Sequence, residues 1–187
     1  SRFATGTTGA LDRFGIVQVD LLPVDAPPEQ PGSSAAYLLP SLRPGLTVLD
    51  LGCGAGTITT GLAARVAPGR VIAIDIEPGV LEVARANAGR SGSGTIDFRV
   101  GDGYRLDVPD DSVDVAHAHQ VLQHLDDPVA ALRELARVVR PGGVIAVRDG
   151  DYGAFTWYPE HAGLTEWRDL YRAVARLSGG EPDAGRH

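Results

Sequence analysis

The 187-residue sequence predicts an α/β fold in which helices cover both faces of a doubly wound, mostly parallel sheet. Between residues 46 and 148, short apolar runs of strand length alternate with segments of helical periodicity. Continuous apolar runs are typical of parallel strands that are buried on both faces. In residues 48–59, one such run passes into three closely spaced glycines and then a helix-like segment. A strand, a glycine turn and a helix in this order are typical of nucleotide-binding turns.

The first elements are predicted from helix formers and helix breakers. Residues 1–32 are rich in proline and glycine, and we expect an arm or lid there with little regular structure. Residues 33–41 are predicted as a short helix, because alanines and leucines follow a serine that can cap it. The first strand is predicted at residues 46–51, and the first crossover helix at residues 57–66.

Four further strands are predicted at residues 70–75, 95–100, 112–118 and 144–148. The helices between and after them are predicted from Pro78 to Gly89, from Asp127-Pro128 to the Pro-Gly-Gly at 141–143, and over residues 160–177, followed by a polar tail. Five strands joined in this way imply right-handed crossovers. Ligands of such sheets bind outside the carboxyl ends of the strands, near the point where the strand order reverses.

Composition limits the classes of function. Apolar residues make up 43% and charged residues 22%, which indicates a globular domain. The net charge is −7 and no basic stripe is present, which disfavours nucleic acid as a partner and favours a small molecule. The single cysteine excludes an internal disulfide and favours a reducing compartment, so we expect a cytoplasmic protein. No apolar run has the ~18–20 residues of a membrane span, and no signal-peptide pattern opens the chain. Because the chain starts with serine and contains no methionine, we expect that its N-terminus is trimmed.

The glycine turn differs from a dinucleotide-binding turn. The pyrophosphate pattern is G-x-G-x-x-G, whereas Gly52, Gly54 and Gly56 give G-x-G-x-G, with Thr57 at the place of the third glycine. Asp50 precedes the first glycine by two positions. A carboxylate there would repel a pyrophosphate and attract an ammonium group.

Asp-Leu-Gly-Cys-Gly-Ala-Gly at residues 50–56 closely resembles motif I of the class I S-adenosylmethionine (SAM) dependent methyltransferases. Residues 114–128 and 132–143 resemble the ubiquinone/menaquinone-type group of small-molecule methyltransferases. The resemblance covers about residues 34–187 and implies a Rossmann-like fold, with SAM as cofactor and S-adenosylhomocysteine as product. We therefore expect a SAM-binding domain at residues 33–187 behind the N-terminal arm.

The resemblance assigns cofactor roles to the residues of the glycine turn. It implies that Asp50 helps to hold the methionine ammonium group, and that the loop with Gly52, Gly54 and Gly56 passes under the methionine part. Cys53 belongs to the same cofactor-binding loop, and the family commonly has cysteine there, so no catalytic thiol is implied.

Two later strand ends complete the predicted cofactor site. Asp75 ends the second strand, where an acid can accept hydrogen bonds from both ribose hydroxyls. The resemblance implies this role and places Ile76 against the adenine. Gly101, Asp102 and Gly103 follow the third strand, and the resemblance implies a hydrogen bond from the adenine amino group to Asp102. Alternatives are an acid at a helix N-terminus for Asp75, a role that Glu77 fits better, and an ordinary turn acid for Asp102.

Three histidines follow in the fourth-strand region. His117 and His119 alternate along the strand and share a face. A zinc site with His124 is a weak alternative, because the sequence lacks the remaining ligands of a tetrahedral set, and we expect no metal. His119 and Gln120 are predicted as walls of the SAM pocket, and His124 as a structural histidine.

No general base is assigned, because the methyl group of a sulfonium is already activated and positioning with water exclusion can supply most of the acceleration. His119 is the best-placed candidate by sequence, with Asp149, Asp151 and Tyr152 as rivals. The resemblance implies in-line displacement by an acceptor O, N, C or S atom. Residues expected to select the acceptor are Phe14, Tyr37, Arg148, Tyr152, Phe155, Trp157 and Tyr158, and the aromatic ones suggest an apolar or aromatic acceptor.

Two other functions remain open at this point. One is a protein of this fold that binds SAM without methyl transfer. The other is a nicotinamide-dependent oxidoreductase, which the glycine spacing disfavours.

The predicted sheet ends early. Class I methyltransferases usually finish with a helix and an antiparallel strand pair, whereas this chain stops after the last helix. A bare edge on the fifth strand would recruit another chain. We therefore expect either a longer native polypeptide or a homo-oligomer that covers this edge.

Overall fold

The fold is built on one parallel sheet whose strand order reverses in the middle. The computed structural model describes residues 15–18, for which only the backbone is considered, and residues 35–92 and 94–186. The strands in these ranges are β1 (Gly15–Gln18), β2 (Thr47–Leu51), β3 (Arg70–Asp75), β4 (Thr95–Val100), β5 (Val113–His119) and β6 (Val139–Arg148). Their order is β1-β6-β5-β2-β3-β4, and every neighbouring pair is parallel. The predicted α/β class is confirmed.

Four helices connect or follow the strands in the described part of the chain: α1 (Thr57–Val66), α2 (Pro78–Ser91), α3 (Pro128–Val138) and α4 (Ala162–Leu177). Their ends follow the punctuation of the sequence. Pro78 and Pro128 lie in the first turns of α2 and α3, and the Asp127 carboxylate caps α3 by accepting a hydrogen bond from the Ala130 amide at 2.9 Å. The predicted helix at 33–41 is instead a 3-10 helix, Ala36–Ser41, because in an α-helical turn the ring of Pro40 would clash with the carbonyl of Ala36.

The chain runs outward from β2 to β3 and β4, then returns to place β5 on the other side of β2. The carboxyl ends of β2 and β5 therefore flank the switch point where ligands of such sheets bind. Side chains on β2 alternate between two cores. Leu49 and Leu51 pack in the core that contains α3, whereas Val48 packs in the core that contains α1. Asp50, two residues after Val48, consequently points to the α1 side.

Strand β6 begins earlier than predicted. Helix α3 ends before the Pro-Gly-Gly at 141–143, and these three residues belong to β6. Val139 pairs with Val113, the register then shifts, and Val144 pairs with Val115. The residues between Val139 and Val144 form a bulge in the ladder. Gly142, with φ +79°, lies in this bulge at the end of the sheet opposite the switch point.

The edge of β6 is not bare, so the expectation of an exposed edge was wrong. Strand β1 pairs with β6 in parallel, with Gly15 opposite Val144 and Gln18 opposite Val147. The prediction that residues 1–32 have little regular structure was also wrong for these four residues. The bare edge was the reason to expect a homo-oligomer that covers β6, and that reason no longer holds.

The polar tail is packed rather than loose over its described part. Asp183 is buried and accepts hydrogen bonds from Arg172 Nη2 and Arg176 Nη2, each at 2.6 Å, and from the Gly153 amide at 2.7 Å. Although burial raises the pKa of Asp183, the hydrogen bonds from these partners bring it down to about 2. The tail therefore ties α4 to the turn Tyr152–Ala154 that follows β6.

Several large apolar side chains on α4 stay exposed. Trp167, Leu170 and Val174 on α4 are 48%, 62% and 53% accessible. None of the helices in the described ranges combines the length and the apolar character needed to cross a membrane.

Candidate functional site

The glycine turn leaves the carboxyl end of β2 in a conformation that favours glycine. Gly52, Gly54 and Gly56 have φ values of +65°, +52° and +77°, in the left-handed region that L-residues rarely adopt. The Gly52 and Cys53 amides donate to the Ile74 carbonyl at 2.7 and 3.1 Å, which holds the turn against β3.

The three glycines differ in what surrounds them. A Cβ on Gly52 would overlap the Val121 side chain, and one on Gly56 would lie 3.1 Å from the Ala84 Cβ. These two glycines are required for packing within the protein. A Cβ on Gly54 meets nothing within 4 Å. Gly54 is therefore the glycine whose face is open to a ligand.

Cys53 does not contribute a reactive thiol at this turn. Its side chain is buried, and burial raises the pKa of the Cys53 thiol to about 12. Because the thiolate is the nucleophile, Cys53 serves as a small residue inside the loop.

Asp75 joins the end of β3 to the glycine turn. Its Oδ2 accepts a hydrogen bond from the Gly54 amide at 2.9 Å, and its Oδ1 accepts one from the Glu77 amide at 3.1 Å. The carboxylate is partly exposed. A carboxylate has about four lone-pair sites, so both oxygens keep acceptor capacity. The position beside Gly54 agrees with the predicted ribose contact, which stays a prediction.

The predicted adenine-side residues lie beside Asp75. Ile76 is 66% accessible, an unusual exposure for an isoleucine. The Gly101 amide donates to the Asp75 carbonyl at 3.0 Å, which brings the end of β4 to the same place. Asp102 is exposed and accepts a hydrogen bond from the Tyr104 amide at 2.9 Å, and a Cβ on Gly103 would be 3.3 Å from the Leu51 side chain.

Asp50 occupies a position that the resemblance did not anticipate. It is 2% exposed, its Oδ2 accepts a hydrogen bond from Thr59 Oγ1 at 2.6 Å, and its Oδ1 lies 2.8 Å from His117 Nδ1. Both oxygens thus have partners inside the protein. The structure shows Asp50 as the link between α1 and β5 beneath the turn, and its contact with a ligand ammonium group stays a prediction.

Thr59 is the member of this network that the sequence did not reveal. The buried face of α1 carries Thr59, Leu62, Ala63 and Val66, which follow the i, i+3, i+4, i+7 spacing. A threonine in register with the apolar stripe is the signal that would have found a buried hydroxyl.

The histidines do not converge on one point. The His117 and His119 rings lie parallel with centroids 6.3 Å apart, and the Nδ1 of His117 is engaged by Asp50. His124 is exposed on the 3-10 turn Leu122–His124. Over the described ranges, no group of three or more His, Cys, Asp or Glu is arranged to hold a metal ion. The prediction that these histidines bind no zinc awaits measurement.

The end of β5 is tied to the end of β6. Gln120, with φ +55°, donates its amide to the Arg148 carbonyl at 2.7 Å and is exposed. His119, at the last position of β5, is partly exposed on the same face as His117. Both residues therefore lie at the switch point, as predicted for walls of the pocket.

Asp149 follows β6 at this same end of the sheet. Its Oδ1 accepts a hydrogen bond from the Gln123 amide at 3.0 Å. Its Oδ2 is buried and has no hydrogen-bond partner among the described residues. Burial raises the pKa of Asp149 to about 7, although nearby backbone amides of residues 121–123 oppose the shift.

Two of the aromatic residues expected to select the acceptor, Tyr152 and Phe155, belong to a chain of ring contacts whose other members lie on α4 and were not predicted for the site. Tyr152 stacks on Phe155 with centroids 4.7 Å apart and on Tyr171 at 4.3 Å, and Trp167 lies 5.8 Å from Tyr171. The Arg168 guanidinium sits over the Trp157 ring. Tyr158 is 99% exposed and takes no part, while Phe14 lies outside the described residues.

A groove of about 650 Å³ lies elsewhere, between α2 and the edge strand β4, where Arg85 and Phe98 are among its lining residues. It contains none of the predicted site residues. The convergence of strand ends, rather than this groove, marks the candidate site.

Comparison with known proteins supports the assignment of the fold and family. A model of a methyltransferase domain family matches residues 49–147, from within β2 to the penultimate residue of β6. This range includes the glycine turn, Asp75, Asp102 and His119. The chain is similar to an uncharacterized methyltransferase of Schizosaccharomyces pombe, with 36% identity over 164 residues, covering 83% of this chain and 58% of that protein.

Two further similarities extend this result. A 2-methyl-6-phytyl-1,4-hydroquinone methyltransferase of Synechocystis is 38% identical over 111 residues, covering 59% of this chain and 34% of that protein. The crystal structure of a SAM-dependent methyltransferase from Aquifex aeolicus superposes with a TM-score of 0.61 at 26% identity, covering 76% of this chain and 78% of that one. The matched part thus spans 58% or less of the two curated relatives.

Proposed function

The chain belongs to the methyltransferase domain family, and we propose that it transfers a methyl group from SAM to a small-molecule acceptor. The observation that carries the proposal is the open face of Gly54, hydrogen-bonded through its amide to Asp75 at the switch point of the sheet. A ligand can approach the backbone there without meeting a side chain.

The residues around Gly54 fit SAM part by part. Asp75 has unused acceptor capacity for ribose hydroxyls. The exposed Ile76 offers apolar surface to an adenine, and the exposed Asp102 offers an acceptor for its amino group. The methionine part would lie along the turn at residues 52–56.

In this proposal, Asp50 contributes by fixing the shape of the glycine turn at residues 52–56. With both oxygens engaged by Thr59 and His117, it holds the N-terminal turn of α1 and strand β5 in fixed relation to Gly52. A buried carboxylate with satisfied oxygens stabilises one arrangement of its neighbours. The chain thereby presents a preformed loop to the cofactor.

When bound, SAM supplies a methyl group activated by its sulfonium centre. The chain then has to hold the acceptor in line with that methyl group and exclude water. Residues after β6, including Tyr152 and Phe155, provide apolar and aromatic surface near the switch point. We propose that the acceptor is an apolar or aromatic small molecule.

The single cysteine agrees with a reducing compartment, and we propose that the reaction takes place in the cytoplasm. The hydroquinone in the name of the Synechocystis relative is one example of the acceptor class. It guides the choice of compounds for the test.

Calorimetric titration with S-adenosylhomocysteine and transfer of labelled methyl from SAM to a library of small aromatic compounds test the proposal. We expect micromolar or tighter binding of S-adenosylhomocysteine and label in at least one product. A parallel titration with NAD is expected to show no binding, because the turn lacks the pyrophosphate pattern. Tight NAD binding, or no binding of S-adenosylhomocysteine, would overturn the proposal. Binding without any transfer would favour a role for SAM other than methyl donation.

A further inference from the structure

Asp50, Asp75, Asp149 and Asp151 are four of the described carboxylates at the carboxyl ends of the strands, and three of them have partners for both oxygens or a charged partner. Asp50 is engaged by Thr59 and His117, and Asp75 by the Gly54 and Glu77 amides. Asp151 caps the turn Tyr152–Ala154 and pairs with Arg186. The fourth, Asp149, has an oxygen that is buried and without a hydrogen-bond partner among the described residues.

An unsatisfied buried carboxylate oxygen is costly, since a buried polar group without a partner loses its hydration and gains nothing. Its other oxygen is fixed by the Gln123 amide, so the side chain cannot turn away to find water without losing that bond. The orientation of Asp149 is therefore set by the protein, while one acceptor position is left for a group that comes from outside.

A second orphaned polar atom lies in the same region. The Tyr37 hydroxyl, on the 3-10 helix Ala36–Ser41, is buried without a partner in the described chain. Burial raises the pKa of Tyr37, the positive charge of Arg148 opposes this, and the negative charges of Asp50 and Asp149 add to it. With its pKa raised, Tyr37 stays a neutral hydroxyl that can donate or accept a hydrogen bond.

We propose that Asp149 is the general base of the reaction, and that the acceptor is a phenol whose hydroxyl group donates a hydrogen bond to Asp149 Oδ2. This inference rests on the proposed methyl transfer and deepens it. The Tyr152 ring lies against Gly150, directly after Asp149, and stacks on Phe155 and Tyr171, so an aromatic cluster adjoins the carboxylate.

The chemistry balances without another reactant. The phenol oxygen forms a bond to the methyl carbon of SAM, the carbon–sulfur bond breaks, and its electron pair stays on sulfur. The phenol proton passes to Asp149 Oδ2, which leaves a methyl ether, S-adenosylhomocysteine and a neutral carboxyl group that later releases its proton to water. A base that titrates near neutral pH is matched to this task, whereas Tyr152, with its pKa raised to about 12 by burial, is protonated at neutral pH.

Asp149 must be ionised to accept the proton, so the rate should rise with pH through its pKa. The titratable or charged groups on the elements around it are Tyr37, Arg148 on its own strand, His124 on the turn that supplies the Gln123 amide, and Arg186 on the tail turn that packs against residue 150. Arg186 is held by Asp151. His124 is exposed, and its Nε2 lies 3.3 Å from Nε2 of Gln123, the residue whose amide donates to Asp149.

The test compares Asp149→Asn with the matched control Asp151→Asn in the full chain, using a series of substituted phenols from phenol to 4-nitrophenol. We expect Asp149→Asn to reduce kcat/KM for phenol about 10²- to 10⁴-fold, the usual contribution of a general base. The defect should shrink toward 4-nitrophenol, which needs less help to lose its proton. Asp151→Asn should lose less than tenfold for every phenol, because its carboxylate serves the fold.

Two readouts without turnover separate this inference from the proposed function. The infrared carboxyl band of Asp149, obtained as the difference between the wild-type chain and Asp149→Asn, should titrate near pH 7. Both variants should bind S-adenosylhomocysteine within about twofold of the wild-type affinity. If the wild-type chain does not bind S-adenosylhomocysteine, the proposed function itself is wrong. If S-adenosylhomocysteine binds normally, three results would overturn the assignment of the base or of the acceptor class. They are an equal rate in Asp149→Asn, no transfer to any phenol, and a carboxyl midpoint below pH 5.

Discussion

Replacement of Gly54 by alanine should remove cofactor binding while leaving the fold nearly intact. Gly54 has φ +52°, and a Cβ there meets no protein atom within 4 Å. The cost to the folded protein is therefore limited to the left-handed backbone conformation, roughly 1–2 kcal/mol. For a domain of this size such a cost lowers the Tm by about 2–8 °C.

The same methyl group projects into the space that the proposed cofactor approaches. Because the Gly54 amide is bound to Asp75, the turn cannot move aside without losing that hydrogen bond. We expect the affinity for S-adenosylhomocysteine to fall at least tenfold, or about 1.4 kcal/mol. Calorimetric titration gives the affinity, and thermal unfolding gives the stability.

Two other glycines provide the controls. Gly142→Ala carries the same kind of strain, with φ +79° and nothing within 4 Å, but lies at the opposite end of the sheet, so it should bind the ligand normally. Gly52→Ala adds an overlap with Val121, so it should lose a further ~1–3 kcal/mol of stability. Wild-type affinity in Gly54→Ala, or an equal loss in Gly142→Ala, would refute the placement of the ligand over this turn.

Three further predictions concern carboxylates. Asp75→Ala should weaken binding of S-adenosylhomocysteine more than about tenfold, because it removes both the ribose acceptor and the bond to the Gly54 amide; unchanged affinity by calorimetry would contradict the ribose role. Asp149→Asn should stabilise the fold increasingly from pH 4 to pH 7, by up to about 4 kcal/mol, because the folded carboxyl, with its pKa raised to about 7, holds a proton that the unfolded chain releases near pH 4; urea unfolding of the variant and of the wild-type chain across this range measures the difference, and a constant difference would contradict the raised pKa. Asp183→Asn should cost about 2 kcal/mol above pH 4, and the cost should fade as the pH drops toward the folded pKa of about 2, because the lowered pKa stabilises the fold only while Asp183 is ionised; acid titration of both proteins by circular dichroism checks the convergence.

The main elements of the fold could be predicted because proline and glycine mark their ends. The strands at residues 70–75 and 95–100 and the helix at residues 57–66 have the predicted bounds. Strand β1 could not be predicted in the same way. Its four residues, Gly-Ile-Val-Gln, are too few to show a period, and it is defined by pairing with β6, which is far away in the sequence.

The candidate site was predictable to the level of strand ends and no further. Parallel strands place their carboxyl ends together, so the neighbourhood of Gly54, Asp75 and Asp102 follows from the order of elements. The pairing of Asp50 with His117 depends on the register between β2 and β5, in which these two residues are opposite one another. Register is set by packing of the whole sheet, and the local pattern of either strand does not contain it.

At the carboxyl ends of the strands, the hydrogen-bond partners of each carboxylate oxygen distinguish acids that stabilise the fold from acids that can react. Sequence reasoning gave Asp50 a ligand role because of the glycine turn, and gave Asp149 only the rank of one rival base among several. In the structure, Asp50 is buried with a partner on each oxygen, whereas Asp149 keeps a buried oxygen without a partner in the described chain. A protein tolerates the cost of such an oxygen where a bound molecule completes it. The acid held by its neighbours therefore builds the loop, and the acid left incomplete is the one expected to meet the substrate.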